Sequence, residues 1–395
     1  MVALTTRPAA PPASAPGGAP VRRLPALRHL GPNWYASVMG TAIVATAGAG
    51  LPWQPPGMRT ALTVVWALSA LLLGVLLAAR ALHWAHHRDQ ARAHLLDVSM
   101  APFYGCLAMA LLAVGGATLV VGSDWIGVPA AVAVDLVLFT AGAGAGRGGG
   151  AVARGPFPGG RGPGVLAAVT VPYLMVTRHR PPLADASPVW LLPVVAPMVS
   201  AALGPLLVPH LPAGQLRQTL LYCCYGLFGL SLLGALLMLP LVVGRLLAGG
   251  PPALALTPTL LLVLGPLGQS TTAVHQLAEA APGVVPGPYA GGFATIAVLY
   301  GVPVMGFAAL WLGLAGALVV RALRRGMGFS LTWWGFTFPV GTCVTGLAGL
   351  GSQTGLRLFG LAATVLYGLL VAAWLVACTG TVRRLVTGRL PAPPA

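Results

Sequence analysis

Between Asn33 and Cys378 the chain is a succession of apolar runs, most of them about twenty residues long, with most of its arginines in the short segments between. A helix of that length crosses ~30 Å of hydrocarbon, and in lipid only helices or closed barrels satisfy their own backbone groups. The 395 residues include 7% charged ones, against roughly 25% in soluble domains. So few charges cannot cover a soluble surface. The pattern predicts an all-α membrane protein and excludes a soluble enzyme, a nucleic-acid binder and a disordered chain.

The runs are 33–51, 59–82, 100–121, 126–177 with an interruption, 188–208, 217–246, 254–278, 289–320, 329–350 and 355–379, which predicts ten transmembrane helices. They make one transmembrane domain over 31–380, flanked by tails at 1–30 and 381–395. The first tail is rich in Ala, Pro and Arg and lacks the apolar stretch of a signal peptide.

The net charge of +16 comes from 22 arginines and 6 acidic residues, with no lysine. Basic residues favour the cytoplasmic side of a membrane. With the N-terminus inside, sixteen arginines fall in cytoplasmic segments and three, Arg59, Arg217 and Arg357, in outer ones. That split supports ten crossings of the plasma membrane with both termini in the cytoplasm.

The remaining three arginines lie in the interruption, 141–164, where eleven of 24 residues are glycine. Glycine costs about 1 kcal/mol per helical position and arginine at the bilayer centre at least ~2.5 kcal/mol. This stretch cannot be a lipid-exposed helix. Its flanks, 126–140 and 165–177, are short, and the later arginine clusters keep their alternation only if the two share one crossing. Either the stretch loops out of that crossing or it is a local reading-frame scar.

Alternate runs carry a common pattern. APMVSAALG, GPLGQSTTA and FPVGTCVTG each place a polar or small residue three positions after a proline: Pro197 and Ser200, Pro266 and Gln269, Pro339 and Thr342. The first run has the polar-small core SVMGT, with Gly40 and Thr41, and the third has FYGCLAMALL, with Met109. Prolines inside helices free a carbonyl and kink the chain, which lipid tolerates only where the freed group faces protein or a water-filled cavity. The recurrence suggests helical hairpins with one helix of each lining a central path; close packing of small residues explains the same pattern without a path.

Other polar residues carry less. Asp135 is the one deep carboxylate, read as a hydrogen bond to a neighbouring helix. His83, His86 and His87 form HWAHH, a spacing that can ligate metal from one helical face. No second such box exists, so these are read as a solvated helix end and no metal or cofactor is expected. The five cysteines lie in apolar runs without a CxxC and read as small apolar residues. No GxSxG, HExxH or P-loop is present, and no catalytic residue is assigned.

GPNWYASVMGTAIVA, VPYLMVTRH, LLPVVAPMVSAALGPLLVPHLP, VLGPLGQS and SLTWWGFTFPVGT together resemble the tellurite-resistance/dicarboxylate transporter family, over roughly 31–380. The resemblance implies ten helices arranged as five hairpins around a central pore, in a homotrimer. It also implies that an aromatic residue of the ninth helix plugs the pore. The family's W-W-x-[FY]-x-F-P motif falls on Trp333, Trp334, Phe336, Phe338 and Pro339, with Phe338 as the plug. In the third run, CLAMALL lacks the proline that the family places before Met109. The implied activity is transport of a small anion, first of all a C4-dicarboxylate such as malate. A passive anion channel and a sulfite or tellurite-resistance exporter are the alternatives, and a His-box membrane enzyme, which would need bound iron, is the rival from another class. The absence of acidic residues along the path and the arginines at the cytoplasmic rim suit an anion.

Overall fold

The computed structural model describes residues 30–144 and 163–387, and among these every regular element is helical. The tails at 1–29 and 388–395 and the core of the glycine-rich stretch, 145–162, lie outside the described residues. Five helices form the interior: α1 (Tyr35–Ala49), α4 (Tyr104–Ala117), α8 (Leu191–Leu203), α10 (Leu264–Ala280) and α12 (Phe338–Thr354). A longer helix packs on the outside of most of them: α2 (Met58–His86) on α1, α9 (Gln215–Gly249) on α8, α11 (Gly287–Arg324) on α10 and α13 (Arg357–Val386) on α12. On α4 that place is taken by α6 (Val128–Ala143) and α7 (Pro163–Leu174). Two short helices lie in the connections, α3 (Arg88–Leu96) and α5 (Ser123–Ile126).

Each inner helix opens with a 3-10 segment: Pro32–Trp34, Ala101–Phe103, Pro188–Trp190, Leu254–Val263 and Leu331–Phe336. In the first three, proline occupies the opening turn, where its fixed φ is suited to a helix start and its missing N–H costs nothing. The inner helices contact one another in a closed ring, α1 to α4, α4 to α8, α8 to α10, α10 to α12 and α12 back to α1.

Apart from the less apolar Leu254–Ala280, the inner and outer spans are similarly apolar in sequence and differ in what covers them. In the segment Pro188–His210, 94% of the most apolar window is buried; in Met58–His86 and Arg357–Val386 the figure is 17%. The outer helices bury one stripe at three- and four-residue spacing, such as Leu221, Cys224, Phe228, Ser231 and Ala235 of α9. Their other faces leave residues such as Leu237 and Leu299 more than 70% exposed. A helix that is apolar all round and buried along one stripe needs lipid against the rest. Seven helical stretches of the described residues are long and apolar enough to cross a membrane: Met58–His86, Ala101–Ile126, Pro188–His210, Gln215–Gly249, Leu254–Ala280, Gly287–Arg324 and Arg357–Val386. The stretches 33–51, 126–177 and 329–350 hold, among the described residues, α1, the separate helices α6 and α7, and a 3-10 segment joined to α12 at Thr337, none of them a single helix long enough to be counted among the seven.

Few groups tie the two layers together. Trp66 of α2 donates to Thr118 Oγ1 (2.9 Å), Trp374 of α13 to Thr41 Oγ1 (3.1 Å) and Trp334 to Thr381 Oγ1 of α13 (3.0 Å). Ser231 of α9 donates to the Val194 carbonyl (2.5 Å), and Trp311 of α11 to the Leu260 carbonyl (2.9 Å). Such bonds between helices in lipid contribute about 0.6–2 kcal/mol each.

Three polar readings change in the structure. His83 and His87 are buried, not solvated, because α3 folds back over the end of α2. There Arg80 donates to the Leu30 carbonyl (2.7 Å) and the Tyr104 hydroxyl (2.8 Å), and lies 3.1 Å from His83 Nδ1. No group of three or more His, Cys, Asp or Glu residues able to hold a metal occurs among the described residues. Asp135 is buried against Gly115 of α4, but its Oδ2 has no hydrogen-bond partner. Of the five cysteines, all free, Cys223 is exposed, unlike the small buried apolar residue expected, while its neighbour Cys224 is buried.

Candidate functional site

The inner ring closes on a small apolar cavity. Met39 of α1 and Met109 of α4 form part of its wall, facing Leu191, Leu192 and Val195 of α8. Leu262 and Gly265 come from the start of the α10 segment, and Phe338 and Pro339 from the start of α12. All five inner segments therefore contribute. The space between them is about 10 Å³, room for at most one water, and no acidic residue is in the wall.

The lining residues share a position in their helices. Met39 is the fifth residue of α1 and Met109 the sixth of α4; Leu191, Leu192 and Val195 lie within the first five of α8. Gly265 is second in α10, and Phe338 and Pro339 open α12. The cavity thus sits within the first two turns of five helices, and the opening N–H groups of α1, α4, α8 and α10 are bonded back to carbonyls of the preceding 3-10 segments.

Pro339 works differently from the expected mid-helix kink. It occupies the first turn of α12, directly after the 3-10 segment and Thr337, so no helical hydrogen bond is lost there. Thr337 holds the junction: its hydroxyl donates to the Trp334 carbonyl (2.7 Å) and its own carbonyl accepts from Gly341 N–H (2.9 Å). This fixes the Phe338 side chain, only 3% exposed, at the head of its helix and in the wall of the cavity. Pro197 lies inside α8 and Pro266 in the first turn of α10, both buried beside the wall but not in it.

Met109, Phe338 and Pro339 thus line the cavity, and the other candidate residues take different places. Gly40 packs under Trp334 and Thr337, where a methyl group would collide with both. Thr41 donates to the Ser37 carbonyl (2.7 Å) and accepts from Trp374. Thr342 donates to the Pro339 carbonyl (2.7 Å). Phe336 is half-buried and meets the Trp333 ring edge-on at 5.4 Å. Ser200 and Gln269 are buried, and Ser200 Oγ and Gln269 Oε1 have no hydrogen-bond partner. The apolar wall residues Met39, Leu191, Leu192, Val195 and Leu262 escaped the sequence reading, which looked for small and polar side chains.

The fold and cavity define a multi-pass membrane protein whose innermost helices enclose a narrow apolar cavity. A family model described as voltage-dependent anion channel matches residues 29–382. The chain belongs to this family, the tellurite-resistance/dicarboxylate transporters, and is an anion transporter or channel, not an enzyme. It is 26% identical over 371 residues to a sulfite efflux pump of Trichophyton rubrum, covering 92% of this chain and 93% of that one. It is likewise 26% identical over 371 residues to a sulfite efflux pump of Arthroderma benhamiae, with the same coverage. An uncharacterized transporter of Methanocaldococcus jannaschii is 24% identical over 372 residues, covering 93% of this chain and 97% of that one.

Proposed function

We propose that the protein carries a small oxyanion across the plasma membrane through a central pore that Phe338 closes. Ten crossings arranged as five hairpins surround the pore, with α6 and α7 sharing one, and both termini lie in the cytoplasm. The observation that carries this reading is the meeting of all five inner segments, at their N-terminal turns, on one cavity too small for an anion. A hydrophobic constriction of this kind gates by excluding water and so the hydrated anion. The relatives named as sulfite efflux pumps favour sulfite as the solute, ahead of the dicarboxylate that the family resemblance first suggested. The exposed apolar faces of the outer helices leave room for lipid and for the neighbours of a homotrimer.

Purified protein in liposomes tests the solute directly. Flux of sulfite is expected to exceed flux of malate, and malate flux at or above that of sulfite would return the dicarboxylate reading. The orientation is tested by single cysteines in a background without the five native ones. Membrane-impermeant reagent applied from outside is expected to label residues placed at 123 and 283 but not at 90 and 323. Labelling at 323 from outside would overturn the ten-crossing topology.

A further inference from the structure

The wall of the cavity repeats with a step of one helical turn. Moving four residues on from Met39, Met109, Val195, Gly265 and Phe338 reaches Ile43, Ala113, Val199, Gln269 and Thr342. A four-residue step rotates only about 40° on a helix, so this second set lies one turn beyond the wall on the same five helices. All five are buried. The faces of α10 agree with this placement: Gly268, Thr272 and His275 are turned to α12, and Thr271 meets Gly301 of α11. Gln269 lies on neither of these faces, one turn beyond the cavity-lining Gly265.

Three members of this set are apolar. The fourth, Thr342, spends its hydroxyl on the Pro339 carbonyl at 2.7 Å. Gln269 alone keeps an unused polar group: it is 3% exposed and its Oε1 has no hydrogen-bond partner. Leaving a buried amide unsatisfied is costly, and polar groups in an otherwise apolar pocket are the ones that fix a ligand's orientation.

We propose that Gln269 is the selectivity residue of the pore and that it selects oxyanions carrying a proton, such as hydrogensulfite. This rests on the pore reading given above. An amide offers a donor and an acceptor side by side. A monoprotonated oxyanion matches both: an anionic oxygen accepts from the amide N–H while its O–H donates to the amide oxygen. Chloride and nitrate engage the N–H alone and leave the buried carbonyl unsatisfied. A site built to hydrogen-bond a hydroxyl rejects solutes lacking one far more strongly than an apolar site of the same size.

The test uses Phe338→Ala protein in liposomes, so that the path is open, and compares it with Phe338→Ala/Gln269→Met, which keeps the side-chain length and removes the amide. Tracer fluxes of hydrogensulfite and chloride are measured at one pH. The hydrogensulfite-to-chloride ratio is expected to fall about tenfold or more, the worth of one lost buried hydrogen bond. An unchanged ratio, or an equal loss of both fluxes, overturns the assignment. A Phe338→Ala variant no leakier than wild type instead removes the plug reading and this proposal with it. A second measurement needs no variant: hydrogensulfite is expected to raise the thermal midpoint of the wild-type protein more than equal chloride or nitrate does. Equal stabilisation by all three overturns the selectivity even if Gln269→Met does not fold.

Discussion

Phe338→Ala is expected to raise anion flux through reconstituted protein at least about tenfold, the effect of lowering a barrier by roughly 1.4 kcal/mol. The ring stands at the head of α12 in the wall of a cavity of about 10 Å³, and among the described residues no other aromatic side chain lines that space. Removing it joins the ring's volume to the cavity, at the one level where the five inner segments converge. Water entering the widened space hydrates it, which ends the dewetting that blocks an anion. A phenylalanine that serves packing alone behaves otherwise. Its truncation in a closed core costs about 3–5 kcal/mol and leaves the path shut. Flux and thermal unfolding measured on the same preparation separate the two outcomes: leakier protein with a small loss of stability supports the plug, and destabilised protein with unchanged flux sinks it.

The second large effect is structural. Gly268→Ala is expected to lower the thermal midpoint by about 2–5 °C, or to abolish folded protein. A methyl group at Gly268 would run into the backbone of Thr342 and Cys343, and a backbone cannot rotate away as a side chain can. Helices α10 and α12 would have to separate. Their joint would lose the Thr272–Thr345 hydroxyl bond of 2.7 Å and the contact of Thr272 with the Thr342 carbonyl. Overpacking of this kind costs about 1–3 kcal/mol, and more where nothing can yield. Gly244→Ala in α9 is the control, because nothing lies within 4 Å of its added methyl. Equal midpoints for the two variants would contradict the close approach of α10 and α12. Small residues that admit such approaches drive helix association in lipid, where no hydrophobic effect acts between helices.

The succession of apolar runs was sufficient to establish an all-helical membrane protein, because lipid leaves the backbone no other partner than its own helix. The WWGFTFPVG segment likewise marked the family and singled out Phe338 before any coordinates. Which face of each inner helix meets the axis was not legible. α1 and α4 carry almost no amphipathic periodicity and are buried on nearly every side, so the side turned to the axis cannot be told from the side turned to a neighbour. The search for polar and small residues therefore found Gly40, Thr41 and Thr342, which the structure uses for packing and for bonds to backbone or tryptophan. It passed over Met39, Leu191, Leu192, Val195 and Leu262, because the cavity they line is apolar. The break at Thr337 was hidden for a related reason: Pro339 reads the same in sequence whether it kinks a helix or begins one. The burial of His83 and His87 depends on α3 folding back onto α2, a contact between segments that hydropathy along the chain does not register. The sequence by itself thus determined that the chain lies in a membrane and to which family it belongs, since both follow from local composition and one motif. The ring of five helices and the depth of Phe338 were decided only by tertiary packing, which brings together residues up to three hundred positions apart.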